Sequence, residues 1–173
     1  MKTKEMAKIS LFIGLFFICS NIIPPINIIG ISFTFQTILI LLIPFMLNVK
    51  EIIIWYVVLI LICAIGIPIM SGFSGGLGVL IGPSAGFIYS WLPQMIVQRV
   101  FIAYNTNRLS IVLIMIIMSF ISIFIGALYF IFVTNGDIII TLKSFLLSFG
   151  IVEIIKVFIV MMIVNKLPKR YLT

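Results

Sequence analysis

Glu153 and Lys156 stand three residues apart inside an apolar run from about Ser144 to Val164. On a helix that spacing puts both side chains on one face. Counted from Ser144, Glu153 lies about nine residues deep, roughly 14 Å at a rise of 1.5 Å per residue. A charge held at that depth in a membrane costs a few kcal/mol or more unless it is paired or hydrated, so it marks a candidate functional site. Two chemistries are open. The pair neutralises itself as a structural bridge, or it faces a polar pocket in which Lys156 meets an anionic group and Glu153 accepts hydrogen bonds from ligand N–H groups.

Two other stretches could contribute. In Ser32-Phe33-Thr34-Phe35-Gln36-Thr37, Gln36 offers a donor and an acceptor, and Thr34 and Thr37 offer hydroxyls. The same residues also suit the capping of a helix N-terminus. From Gly66 to Phe87 the chain concentrates Gly66, Gly72, Gly75, Gly76, Gly78, Gly82 and Gly86, out of 12 glycines in all, with Pro68 and Pro83. Such a segment either makes tight turns and close helix contacts or brings its backbone up to a ligand. Arg99 reads as a side chain that snorkels to the membrane surface. Trp91 reads as an interfacial anchor. Cys19 and Cys63 lie in separate apolar runs and read as packing residues.

The elements that carry these residues follow from composition. Of 173 residues 64% are hydrophobic and 9% charged, with a mean hydropathy of +1.42. Soluble domains carry about 25% charged residues; here there is too little polar surface to face water, and lipid is the fitting solvent. The net charge of +7 is not a nucleic-acid signal, because the basic residues sit at the ends of apolar runs. With no histidine and two separated cysteines, a Cys/His metal site and a disulfide framework are both excluded.

An all-α integral membrane protein of six transmembrane helices is therefore expected. The spans run about Ala7–Ile23, Phe33–Asn48, Ile52–Ile65, Phe87–Tyr104, Leu109–Val133 and Ser144–Val164, with a glycine-rich outer loop between the third and fourth. A cytoplasmic N-terminus puts Lys2, Lys4, Lys8, Lys50, Arg99, Arg108, Lys166, Lys169 and Arg170 inside and leaves only Lys143 outside. Positive charge marks the cytoplasmic side, so both termini are placed there. The chain reads as one membrane-embedded domain over 1–173. It has no Walker-type sequence and no acidic cluster for Mg²⁺, so no cofactor is expected and any energy for transport comes from elsewhere.

In sequence order, several of these segments resemble the BioY family, the biotin-specific membrane subunits of energy-coupling factor (ECF) transporters. Gly66-Ile67-Pro68-Ile69 through Gly75-Gly76 is similar to the family's G-x-P-x-F segment and glycine-rich turn. Gly82-Pro83-Ser84-Ala85-Gly86-Phe87 is similar to its G-P-T-G-G-Y. Phe33-Thr34-Phe35-Gln36-Thr37 resembles an apolar-T-L-Q-T motif, and Glu153-Ile154-Ile155-Lys156 its D-x-x-K. Met70, Ser84-Ala85, Phe87, Glu153 and Ile43-Pro44 depart from the family pattern. Glu153 for Asp shifts the carboxylate by roughly 1 Å.

The resemblance implies a biotin-binding transport subunit, not an enzyme, in a bacterial plasma membrane. It implies a transmembrane coupling protein and two cytoplasmic ATPase subunits as partners. Its candidate ligand contacts are Thr34, Gln36, Phe73, Gly75, Gly76, Gly82, Pro83, Ser84, Gly86, Phe87, Glu153 and Lys156. Its coupling surface would use the small residues Ala7, Ser10 and Gly14 on the first helix. The same fold carrying another vitamin, a membrane-embedded enzyme acting on a lipid or isoprenoid with Glu153 as acid/base, and a ligand-free accessory subunit remain open.

Overall fold

The computed structural model describes residues 3–22, 26–28, 31–33 and 35–168. Helix α1 (Thr3–Phe17) runs on into a single π-helical turn, Ile18–Ile22. Strands β1 (Ile26–Ile28) and β2 (Ile31–Phe33) pair antiparallel, with Ile26 opposite Phe33. Six helices follow: α2 (Gln36–Met46), α3 (Val49–Ala64), α4 (Leu77–Ile81), α5 (Ala85–Tyr104), α6 (Arg108–Thr134) and α7 (Ile138–Lys166). The fold is helical apart from this hairpin, which falls in the connection expected between the first two spans. The stretch read as one glycine-rich loop is divided by α4.

Among the described residues three segments are long and apolar enough to cross a membrane: Thr3–Ile22, Arg108–Thr134 and Ile138–Lys166, with mean hydropathies of 1.5, 2.9 and 2.4. The bundle is built for lipid. Leu113, Ile117, Ile121, Phe124 and Leu128 form an exposed stripe on α6, while Ser119, Ser122 and Gly126 of the same helix are buried. Gln36, Gln94, Gln98, Glu153 and Lys156 are also buried. Polar side chains inside and apolar ones outside reverse the pattern that water imposes.

Helix boundaries have local causes. Asn48 and Glu51 form a capping box at the start of α3: the Glu51 N–H donates to Asn48 Oδ1 and the Asn48 N–H to Glu51 Oε2, each at 2.9 Å. Asp137 caps α7 by accepting from the Ile140 N–H at 2.8 Å. That cap starts α7 at Ile138, ahead of the expected Ser144, so Lys143 belongs to the helix and not to a loop. Glu153 then sits near the middle of α7, roughly 22 Å from its start at 1.5 Å per residue.

The interior has two apolar cores. One joins α1, α3 and α5 around Phe16, Trp55, Leu59, Trp91 and Met95. The other joins α2, α6 and α7 around Leu41, Phe45, Met115, Val157 and Val160. Helices α5 and α6 approach closely because Gly86 and Gly126 lack side chains. A Cβ on Gly86 would lie 2.3 Å from Tyr129 Cβ, and one on Gly126 would lie 2.2 Å from the Phe87 ring.

Candidate binding site

Between α2, α5, α6 and α7 lies a cavity of about 480 Å³. Its lining comes from the first two turns of α2, the first half of α5 with Pro83 and Ser84 ahead of it, α6 from Ser119 to Phe130 and α7 from Phe145 to Lys156. Its polar centre is a triad that sequence spacing alone does not assemble. Lys156 Nζ donates to Glu153 Oε1 at 2.9 Å and to Thr37 Oγ1 at 2.6 Å. Thr37 Oγ1 in turn donates to Glu153 Oε1 at 3.1 Å. The i,i+3 spacing on α7 pairs the two charges, and α2 delivers the hydroxyl from 119 residues away in sequence. Lys156 is 2% exposed and Glu153 8%. Charges so buried are tolerated when they are paired and hydrogen-bonded. The two charges form an ion pair, and they line the cavity.

The remaining wall is mostly aromatic. Phe145 stacks on Phe149 with ring centroids 5.4 Å apart and meets Phe130 at 5.2 Å and Phe87 at 5.6 Å. Trp91 closes another side. It is buried, with its ring set edge-on to Phe16 at 5.8 Å. The interfacial-anchor reading of Trp91 is thereby corrected: helix packing turns this side chain into the bundle. A second polar station comes from Gln94, Ser119 and Ser122; Gln94 Nε2 donates to Ser119 Oγ at 3.5 Å, and Ser122 bonds Ser90.

Of the residues singled out in the sequence, Thr37, Pro83, Ser84, Phe87, Trp91, Glu153 and Lys156 line this cavity. Gln36 points elsewhere, its Oε1 accepting from Ser71 Oγ and its Nε2 facing Met70 Sδ at 3.9 Å. Phe73 is exposed and packs on Phe17 at 6.3 Å. Gly75, Gly76 and Gly82 belong to the turns around α4, and Gly86 to the α5–α6 contact. Thr34 lies outside the described residues. Ala7, Ser10 and Gly14 are exposed on one face of α1. Among the described residues no three His, Cys, Asp or Glu side chains come together to hold a metal ion.

The glycine-rich segment is positioned by residues that the sequence reading passed over. Asn21, in the π-helical turn, directs its Nδ2 to the carbonyls of Pro68 and Ile69, each at 3.3 Å, and accepts from the Phe73 N–H at 2.6 Å. That bond holds Phe73 at φ 55, a region few non-glycine residues occupy. Tyr89 and Tyr129 donate their hydroxyls to Leu80 and Ile81 carbonyls, fixing the end of α4 beside Pro83 and Ser84. Gln94, Ser119 and Ser122 had a usable signal, as polar residues at helical spacing inside apolar spans. Phe130, Phe145 and Phe149 had none, among 16 phenylalanines.

Comparison with known proteins gives these features a family. The BioY family's sequence profile matches residues 1–173, the whole chain. This chain belongs to the BioY family. It is 28% identical over 164 residues to biotin transporter BioY2 of Lactococcus lactis subsp. cremoris, a match covering 92% of this chain and 87% of that protein. It is 29% identical over 94 residues to biotin transporter BioY of Rhizobium etli; that match spans 53% of this chain and only 50% of the relative's length. Among solved structures, an S-component for biotin from an ECF-type ABC transporter superposes with a TM-score of 0.77 at 22% identity, covering 98% of this chain and 97% of that one. The helical fold is thus shared over nearly the full length.

Proposed function

We propose that this chain is a high-affinity biotin-binding S component of an ECF-type vitamin importer, and that the cavity is its biotin site. The observation that carries the reading is the Thr37–Glu153–Lys156 triad at the wall of an aromatic cavity. Membership of the BioY family and the names of its relatives support it. A cavity of about 480 Å³ falls within the ~300–1,000 Å³ range of small-molecule sites.

The electrostatics favour one orientation. Glu153 and Lys156 cancel each other's charge, so the triad offers strong donors and an acceptor without net charge. That suits a neutral head with both kinds of group, such as biotin's ureido ring with two N–H donors and one carbonyl. The ring N–H groups would meet Glu153, and the carbonyl would meet Lys156. The apolar tail would run along Phe87, Phe145 and Phe149, leaving its carboxylate nearer the open end of the bundle.

In this reading six helices span a bacterial plasma membrane, with both termini cytoplasmic and the cavity toward the outer face. The positive-inside pattern supports that orientation. The chain would bind and not catalyse. A transmembrane coupling protein and two cytoplasmic ATPases would act on it, with Ala7, Ser10 and Gly14 as the docking face on α1. Gln36, Phe73 and the turn glycines then shape the mouth and not the ligand's immediate contacts.

The test is equilibrium binding of labelled biotin to the detergent-purified chain, with desthiobiotin and thiamine as competitors. Saturable binding displaced by desthiobiotin but not by thiamine is expected. Folded protein that binds no biotin, or that prefers thiamine, would overturn the assignment.

A further inference from the structure

One buried amide is left unused by the site as described. Ser90, Gln94 and Gln98 recur every four residues on α5, and all are buried. They form rungs against α6: Ser90 meets Ser122, and Gln94 meets Ser119. Continuing that antiparallel register brings Gln98 level with Met115, which accepts no strong hydrogen bond. Gln98 is 0% exposed, and neither its Nε2 nor its Oε1 meets a partner among the described residues. Natural proteins rarely leave such groups unpaired, and a buried water is the usual partner. Gln94, one turn nearer the cavity, is itself held by one bond at the outer limit of length, 3.5 Å.

We infer that Gln98 holds one buried water against the Gln94 amide and is thereby a positioning residue for the cavity. The water supplies Gln94 with a second tether and fixes the amide that faces the ligand. Gln98 does not touch the ligand; it acts through Gln94. This inference rests on the cavity being the ligand site.

A double-mutant cycle separates this role from a merely structural one. Biotin affinity is measured for the wild-type chain, Gln98→Met, Gln94→Met and the double variant. Losing one tethering hydrogen bond weakens binding about tenfold in Gln98→Met. In the Gln94→Met background the same change has no further effect, because the residue it positions is gone. Unchanged affinity in Gln98→Met with a raised Tm would identify a dry orphan amide and overturn the inference. An equal loss in both backgrounds would overturn it too. A ligand-free structure of the wild-type chain at high resolution gives an independent readout that requires neither a folded variant nor biotin. A water within hydrogen-bond distance of both amides is expected there. A dry contact refutes the site even if the chain's ligand is not biotin.

Discussion

The charged pair makes opposite demands on stability and on binding, which allows the two to be separated. In Lys156→Met the ammonium is lost and the Glu153 carboxylate, 8% exposed, keeps among the described residues the Thr37 hydroxyl at 3.1 Å. Breaking a buried ion pair from one side costs about 3–5 kcal/mol. For a chain of this size that lowers Tm by about 10 °C, at ~2–4 °C per kcal/mol. In the double variant Glu153→Leu/Lys156→Met no charge is stranded. Apolar replacement of a buried pair is close to neutral or stabilising, so Tm should return to within a few degrees of wild type. Thr37 then keeps a single unpaired hydroxyl, at a cost of about 1–3 kcal/mol at most. Biotin binding behaves differently: the single variant loses the Lys156 bond to the carbonyl and about 10–100-fold in affinity at ~1.5–3 kcal/mol, and the double variant loses the Glu153 bonds as well and at least about 100-fold. The assay pairs a thermal-unfolding scan in detergent with labelled-biotin binding on the same preparation. A double variant that folds and binds biotin like wild type would refute the reasoning, leaving the pair as a structural bridge beside the true site.

Two more outcomes follow from contacts around the cavity. Gly126→Ala drives a methyl group into the Phe87 ring, whose nearest atoms would be 2.2 Å away; the ring must swing into the cavity, so affinity should fall about tenfold while stability drops by only ~1–3 kcal/mol. Equal binding by a crystal-verified Gly126→Ala protein would show that the Phe87 wall does not contact ligand. Asn21→Leu removes the bonds to Pro68, Ile69 and Phe73, so limited proteolysis between Ser71 and Gly76 should accelerate several-fold. Unaltered cleavage would mean that the Gln36–Ser71 contact and the Met70–Ser74 and Gly76–Cys63 backbone bonds hold the segment without Asn21.

Much of the fold was legible because one-dimensional signals suffice for it. Apolar runs long enough to cross lipid mark α1, α6 and α7. Where the reading slipped, the deciding interaction was still local but competed with the apolar pattern. Asp137 begins α7 six residues before the apolar core of the span (144 − 138), and Leu77–Ile81 closes into a helical turn inside a glycine-rich stretch. The short hairpin at β1 and β2 depends on two strands meeting, which composition does not report.

The site divides in the same way. Sequence by itself determined the solvent, the helical character and the presence of a buried charge pair on one face of α7, because each follows from residue type and a period of 3.6. It also carried the family resemblance, through motifs in order along the chain. Only the tertiary structure decided which partners those charges meet. Thr37 completes the triad while its neighbour Gln36 turns away to Ser71, a difference of one residue, or about 100° of helix rotation. Trp91 and the Phe87–Phe145–Phe149 wall became cavity lining for the same reason. Which face of an apolar helix points inward is set by its packing against three other helices, and every face looks alike when nearly every residue is apolar.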